Sequence, residues 1–255
     1  MSAARSVQAK TSAEEKPSPV DAMRAFGVML GGPIVLVGAA VTSVGFVLRA
    51  LARRRRPNPL ALGGTAASAL YVTIVHPRLM RWGATDEEVE KALPGDEFVP
   101  VAGMQATRAV TIDAPVEEVW PWLAQLGQDR AGFYSYEWLE NLAGCRMRNA
   151  NRLDPEWQTR GVGETVKLHW ASGLKLTRFE PPRVYALGGW YIVLEPNDGR
   201  TRLFARSRFP RGLASLAYGL LLELPHFIME RKMLLGIQEC AGRRGIDANA
   251  TSPVA

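Results

Sequence analysis

Residues 107–127 read TRAVTIDAPVEEVWPWLAQLG. The first six, Thr107 to Ile112, alternate and are rich in β-branched side chains, which predicts a strand. Pro115 then opens a helix, because its fixed φ suits the first turn. Glu117 and Glu118 sit near that helix N-terminus, where negative charge is favoured. Val116, Val119, Trp120 and Leu123 follow the i, i+3, i+4, i+7 spacing of one buried face, and Gly127 ends the helix.

The next stretch, GFYSYEWLENLAGCR at 132–146, concentrates aromatic residues in a chain that is only 8% aromatic. Read as a helix, Phe133, Tyr136 and Leu139 make one row and Tyr134, Trp138 and Leu142 a second. The resulting apolar face is wider than one core contact needs. It suits a core helix, a lid over a pocket, or a membrane contact.

Strands and turns follow. ETVKLHW (164–170), LKLTRFE (174–180), RVYAL (183–187), WYIVLE (190–195) and TRLFARSRF (201–209) are separated by Gly, Pro, Asn and Asp turns, which predicts an antiparallel meander. In the last of them Arg202, Arg206 and Arg208 alternate with Leu203, Ala205 and Ser207, so one face reads as solvated and the other as covered. A final helix runs from about Leu213 to Arg243 with a leucine-rich row, and Pro225 should kink it. Strand, helices, antiparallel strands, long helix: the order is that of an α+β domain over 105–243. A bent sheet around the long helix leaves an apolar space between them.

Upstream the character changes. FGVMLGGPIVLVGAAVTSVGFVL, 26–48, carries no charge and is long enough to cross a bilayer. A signal peptide is the competing reading, but the run exceeds a usual h-region and four arginines, Arg53 to Arg56, would follow the cut. A second run, LALGGTAASALYVTIV at 60–75, becomes a span of about 20 residues when its flanks are included. A buried or interfacial helix is its alternative. Gly27-xxx-Gly31 and Gly64-xxx-Ser68 would let two helices approach closely, as in a hairpin. The expected organisation is thus a disordered tail at 1–23, a transmembrane hairpin at 24–77 (spans about 26–48 and 58–76), and a linker at 78–104. The domain at 105–243 and a second disordered tail at 244–255 complete it. The linker's short helix starts on a capping box at Thr85 and Glu88.

The formal charge is +6. Its densest run, Arg53 to Arg56, flanks an apolar segment, which is the ordinary topology signal and not a nucleic-acid signature. That loop is expected on the cytoplasmic side. The domain then faces outward if both runs span, and inward if only the first does. The cell membrane is the expected location, in multi-pass form. Cys145 and Cys240 form no CxxC pair; free thiols are the default and a bridge between them stays open. His76, His169 and His226 are far apart and make no ligand set, so neither a metal nor a cofactor is expected.

These segments resemble the SRPBCC superfamily. The resemblance is carried by 107–144, by DPEWQ at 154–158, GVGETVKL at 161–168, LEPNDGRTRLFARSRF at 194–209 and LPHFIMERKMLLGI at 224–237. This helix-grip group includes START lipid-transfer, Bet v 1-like and polyketide cyclase/dehydrase-like proteins, and bacterial membrane-anchored members are the nearest in character. The resemblance implies a curved antiparallel sheet wrapped round the C-terminal helix, with a hydrophobic cavity between them. It implies that the second crossover helix covers one mouth of that cavity. Trp120, Phe133, Tyr136, Trp138, Leu168, Trp170, Trp190, Ile192, Leu203 and Phe227 are the expected lining. The aromatics at 133–138 would line or lid the mouth, or else close the core beneath the sheet.

The resemblance does not imply a reaction, since the group mixes binders, carriers and enzymes. No nucleophile elbow, P-loop or HExxH segment is present. The expected function is a membrane-anchored binding or transfer protein for a small hydrophobic ligand such as a lipid, isoprenoid or polyketide-like molecule. A cyclase- or dehydratase-like enzyme is the alternative, with a pocket His or Arg polarising a carbonyl. A structural membrane protein with a filled cavity is the third.

Overall fold

The structure is a computed structural model. It describes the backbone of 19–142, 144–169 and 172–250, and the side chains of 34–243 apart from 143, 170, 171 and 214. Trp170, residues 1–18 of the expected N-terminal tail and 251–255 of the C-terminal one lie outside the described residues. Where the rest of that C-terminal tail was expected, the backbone continues as helix to Ala250.

Helix α1 covers Pro19–Ala52 and α2 covers Pro59–Leu70. A π turn at Tyr71–Val75 and α3 (His76–Met80) prolong α2. Ile34–Ala52 and Pro59–Met80 are long and apolar enough to cross a membrane. Helices α1 and α2 pack side by side. A Cβ on Gly64 would overlap the Ser43 hydroxyl, so the small residue is what lets the two backbones meet.

The capping box forms as expected: Thr85 Oγ1 accepts from the Glu88 amide (3.2 Å) and the Thr85 amide donates to Glu88 (2.8 Å). It starts α4, Asp86–Glu90. Strand β1 (Ala102–Ile112) follows, then α5 (Val116–Ala124) and α6 (Glu137–Leu142). The strands β2 (Thr165–His169), β3 (Ser172–Lys175), β4 (Arg178–Glu180), β5 (Val184–Leu187), β6 (Trp190–Asn197) and β7 (Arg200–Pro210) come next. Helix α7 (Leu213–Ala217) passes through a π turn, Tyr218–Leu222, into α8, Glu223–Ala250. Each π turn lies just ahead of a proline, Pro77 or Pro225, whose ring would clash with the carbonyl four residues back in a regular helix.

The sheet is antiparallel, in the order β1-β7-β6-β5-β4, and β2-β3 form a separate hairpin. The single strand expected at 174–180 therefore divides. Leu176 still donates to Glu164 on the β2 side (2.8 Å), while the next amide, Thr177, donates to Ala186 on the β5 side (2.8 Å). The pairing changes partner at this break, which turns the sheet without losing backbone hydrogen bonds.

The inner face of the sheet holds Val110, Ile112, Ile192, Leu194, Leu203 and Ala205, packed with Val119, Trp120 and Leu123 of α5 and Met233, Leu234 and Ile237 of α8. The outer face is not solvated as the alternating arginines of β7 suggested. Leu93 packs there on Ala109, Val184, Ala186, Tyr191, Val193 and Phe204. Arg206 is buried and fully bonded beneath the same segment. It donates to the carbonyls of Glu88 (2.8 Å), Val89 (3.2 Å) and Lys91 (2.8 Å), to Thr107 Oγ1 (2.9 Å) and to Asp96. Arg202 clasps both oxygens of Glu88 (2.7 and 2.8 Å). The stretch read as a linker is thus a covering layer, held because five guanidinium donors need acceptors that bare solvent-facing strand would not supply.

Candidate functional site

The 132–138 segment builds one wall of a groove. It is not helical until Glu137, contrary to the two helical rows expected. Gly132 and Tyr134 both take positive φ, +72° and +54°, and a residue in that region interrupts a right-handed helix. Gly127 and Gly132 exchange backbone hydrogen bonds (3.0 and 2.9 Å), closing the loop that leads in. Asn149 fixes the segment from Tyr134 to Glu137. It accepts from the Tyr134 amide (2.8 Å), donates to the Ser135 carbonyl (2.9 Å), and its own amide donates to Glu137 (2.6 Å). Tyr134 turns inward and accepts from Gln125 Nε2 (2.7 Å).

Against this wall lies α8. A Cβ on Gly236 would overlap the Tyr134 carbonyl, so the close approach of helix and loop there requires the glycine. On either side of that contact the two surfaces diverge into an open groove of about 560 Å³. Tyr136, Glu137, Trp138, Asn149 and Asn151 line one side; Lys232, Glu239, Cys240 and Arg243 line the other. Tyr136 and Trp138 are tilted neighbours with ring centroids 6.4 Å apart, and Lys232 Nζ stands 6.0 Å from the Tyr136 ring. Trp138 is 66% exposed, an unusual setting for the largest apolar side chain. Both cysteines are free. Burial pushes the Cys145 thiol up to about 11, with Glu140 adding to the effect, so it is no nucleophile at neutral pH.

Glu140 stands behind the Tyr136 wall. Burial pushes its carboxyl up to about 7, against the Ser135 hydrogen bond that lowers it and with the Glu137 charge that raises it. Among the described residues its Oε2 has no hydrogen-bond partner. The folded value lies above the ordinary 4.5. The associated stability is therefore complete below pH 4.5 and is lost as pH rises toward about 7. Glu140→Gln should abolish that slope and raise stability above pH 7 by at most about 3 kcal/mol. A melting series from acid to pH 8 checks this; parallel curves for the two proteins would contradict it.

The ten expected lining residues separate into three groups and one outside the described set. Trp120, Phe133, Ile192 and Leu203 are buried in the main core, with Leu168 and Trp190 packed against it. Ile192 and Leu203 have no exposed surface at all, so neither borders a space that would admit water. Tyr136 and Trp138 line the groove instead. Phe227 lies elsewhere, edge-on to Trp82 (6.5 Å) and 5.2 Å from the Arg108 guanidinium. Trp170 is the one outside.

Phe227 belongs to a second constellation, where α3, β1, β6 and α8 meet. Arg108 is completely buried and pairs with Glu223 and Glu230, both buried, while its Nε donates to the Leu79 carbonyl (2.9 Å). Trp190 Nε1 donates to Glu230 (2.6 Å). His226 Nε2 lies 3.5 Å from Glu230, and its Nδ1 is hydrogen-bonded to the Tyr218 hydroxyl. Burial pushes Glu223 up, and the Glu230 charge adds to it, although Arg108 pulls the other way. Burial also acts to raise Glu230, but His226, Arg108 and the Trp190 hydrogen bond hold it below the usual carboxylate value. One arginine thus serves two carboxyl groups whose proton affinities are pushed in opposite directions. The signal was present in the sequence: Arg108 shares the parity of Val110 and Ile112, a charge on the inward face of a strand.

No protein-family model matches the chain, and no curated protein matches it. The chain is similar to a polyketide-cyclase-like protein. That protein is Cgl2372 of Corynebacterium glutamicum, a solution NMR structure with 11% identity and a TM-score of 0.29, the match covering 59% of this chain and 97% of that one. At that TM-score the likeness carries no functional weight, and the chemistry rests on the groove itself.

Proposed function

We propose that the protein is a membrane-anchored binding or transfer protein for a small hydrophobic ligand, built on a helix-grip frame, and that the ligand docks in the groove between Tyr136–Trp138 and α8. The observation that carries the reading is the groove: its volume falls in the range of small-molecule sites, and the exposed Trp138 and half-buried Tyr136 stand in it among polar side chains, four of them charged (Glu137, Lys232, Glu239 and Arg243). Its wall is pre-organised by Asn149, so little ordering opposes binding.

The membrane part of the proposal takes α1 and the α2–α3 helix as a spanning hairpin. Support comes from their length and apolar character, their close approach at Gly64, and the Arg53 to Arg56 loop between them. The hydrogen bond from Arg108 to Leu79 fixes the domain to the end of the second helix, which would hold the groove at a set height above the lipid.

A photoactivatable fatty acid, added to the full chain in vesicles, tests the site. Label is expected on peptides containing Tyr136, Trp138 or 232–243, beyond whatever the hairpin takes from the surrounding lipid. Trp138→Ala should cut that labelling about tenfold, the loss of one aromatic contact. Label confined to the hairpin would refute the site.

A further inference from the structure

We propose that one face of the C-terminal helix, from Leu213 to Ile228, lies in the hydrocarbon of the bilayer beside the hairpin. This rests on the membrane-anchor reading above and extends it to a segment the sequence assigned to the soluble domain.

Four large apolar side chains stand out of that helix: Leu213 (84% exposed), Leu216 (58%), Leu220 (51%) and Ile228 (41%). Their spacing of three, four and eight residues places them in one stripe. Between Leu213 and Leu222 the sequence has no charged residue. The polar groups that the segment does carry are bonded within the protein, except Glu223 Oε2, which is buried and has no hydrogen-bond partner among the described residues. Ser215 Oγ donates to the Gly212 carbonyl (2.8 Å), Tyr218 bonds to His226, and Glu223 is held by Arg108. A segment that has met nearly all its polar requirements internally, and has buried the remaining carboxyl oxygen, while leaving its leucines bare is suited to lipid and poorly suited to water.

The neighbours of the stripe indicate its cover. Helix α1 packs against the π turn at Tyr218–Leu222, so the stripe continues the apolar surface of the hairpin. The level at which the chain leaves the lipid is marked too. Trp82, two residues past the end of α3, packs on Phe227 and lies under the Arg231 guanidinium (4.9 Å). Trp and Arg at the end of a span are the usual interfacial anchors. The 16 residues from 213 to 228 measure about 24 Å, too short to cross and long enough to lie partly sunk.

Single cysteines at Leu216, Leu220, Val41 and Arg200, the last exposed at the β6–β7 turn away from the groove, each in a Cys145→Ala/Cys240→Ala background, would carry an environment-sensitive nitrobenzoxadiazole label in the full chain. The protein is reconstituted in phosphatidylcholine vesicles with and without brominated acyl chains. Circular dichroism confirms that each retains the parent helix content. The Leu216→Cys and Leu220→Cys labels should emit in the blue and lose most of their intensity to brominated lipid, as the hairpin label at Val41→Cys should. The Arg200→Cys label should lose none. If the Val41 label is quenched but those at 216 and 220 emit as in water, the proposal falls and the anchor stands. Blue emission at 216 and 220 without quenching means a second copy covers the stripe, which also overturns it. No quenching at Val41 removes the anchor reading, and this inference with it.

Discussion

Arg108→Met is expected to destabilise the folded protein by roughly 3–5 kcal/mol, because it leaves two buried carboxyl groups without their cation. In a chain of this size that is a fall of about 10 °C in melting temperature. The loss should come from the orphaned acids more than from the missing attraction, since burying an ion pair is itself costly. The triple variant Arg108→Met/Glu223→Leu/Glu230→Gln should therefore recover most of it. Glu230→Gln keeps an acceptor for Trp190. Thermal melting of the detergent-solubilised full chain distinguishes the cases. A single variant within a degree or two of the parent, or a triple variant no better than the single, would contradict this account of the cluster.

The second large effect concerns the covering layer. A fragment starting at residue 105, the domain boundary read from the sequence, lacks Leu93 and every backbone acceptor of Arg206. It also exposes Phe204, Tyr191 and Val193 on the outer face. Expressed over 105–243, it should show no cooperative melt. A fragment starting at 78, which restores Leu79, α4 and the layer, should melt as one unit in mild detergent. Detergent is needed because the stripe on the C-terminal helix stays bare. Equal melting of the two fragments would show that the layer is dispensable.

These two predictions fall where sequence patterns are least informative. Period-two alternation in TRAVTI and TRLFARSRF says which side chains share a face, and that part agrees with the structure: Val110 and Ile112 point one way, Leu203 and Ala205 likewise. It does not say whether a face meets solvent. Arg206 reads as a surface residue in any local window, because its acceptors are supplied from more than a hundred positions away. The same holds for Arg108 and Glu223, 115 residues apart in the chain.

The groove divides in the same manner. Tyr136 and Trp138 stand out in the sequence as large aromatics beside charged residues, and the structure puts both on the groove. Phe133 went to the core instead, because Tyr134 adopts a left-handed backbone that rotates the chain out of the expected helical row. The loop's hydrogen bonds to Asn149 and Gln125 hold that conformation, and nothing in local propensity reports it.

By itself the sequence determined the element order, the antiparallel strands, two apolar helices at the N-terminal side and a long C-terminal helix. Those arise from hydrophobic period, turn residues and caps, each of which acts within a few positions. Tertiary structure alone decided that the supposed linker covers the sheet, that Arg108 gathers two acids, and that a leucine stripe is left bare beside the hairpin. Burial and pairing depend on what the rest of the chain brings to a surface, and that partner is set by the fold, not by the window in which the residue is read.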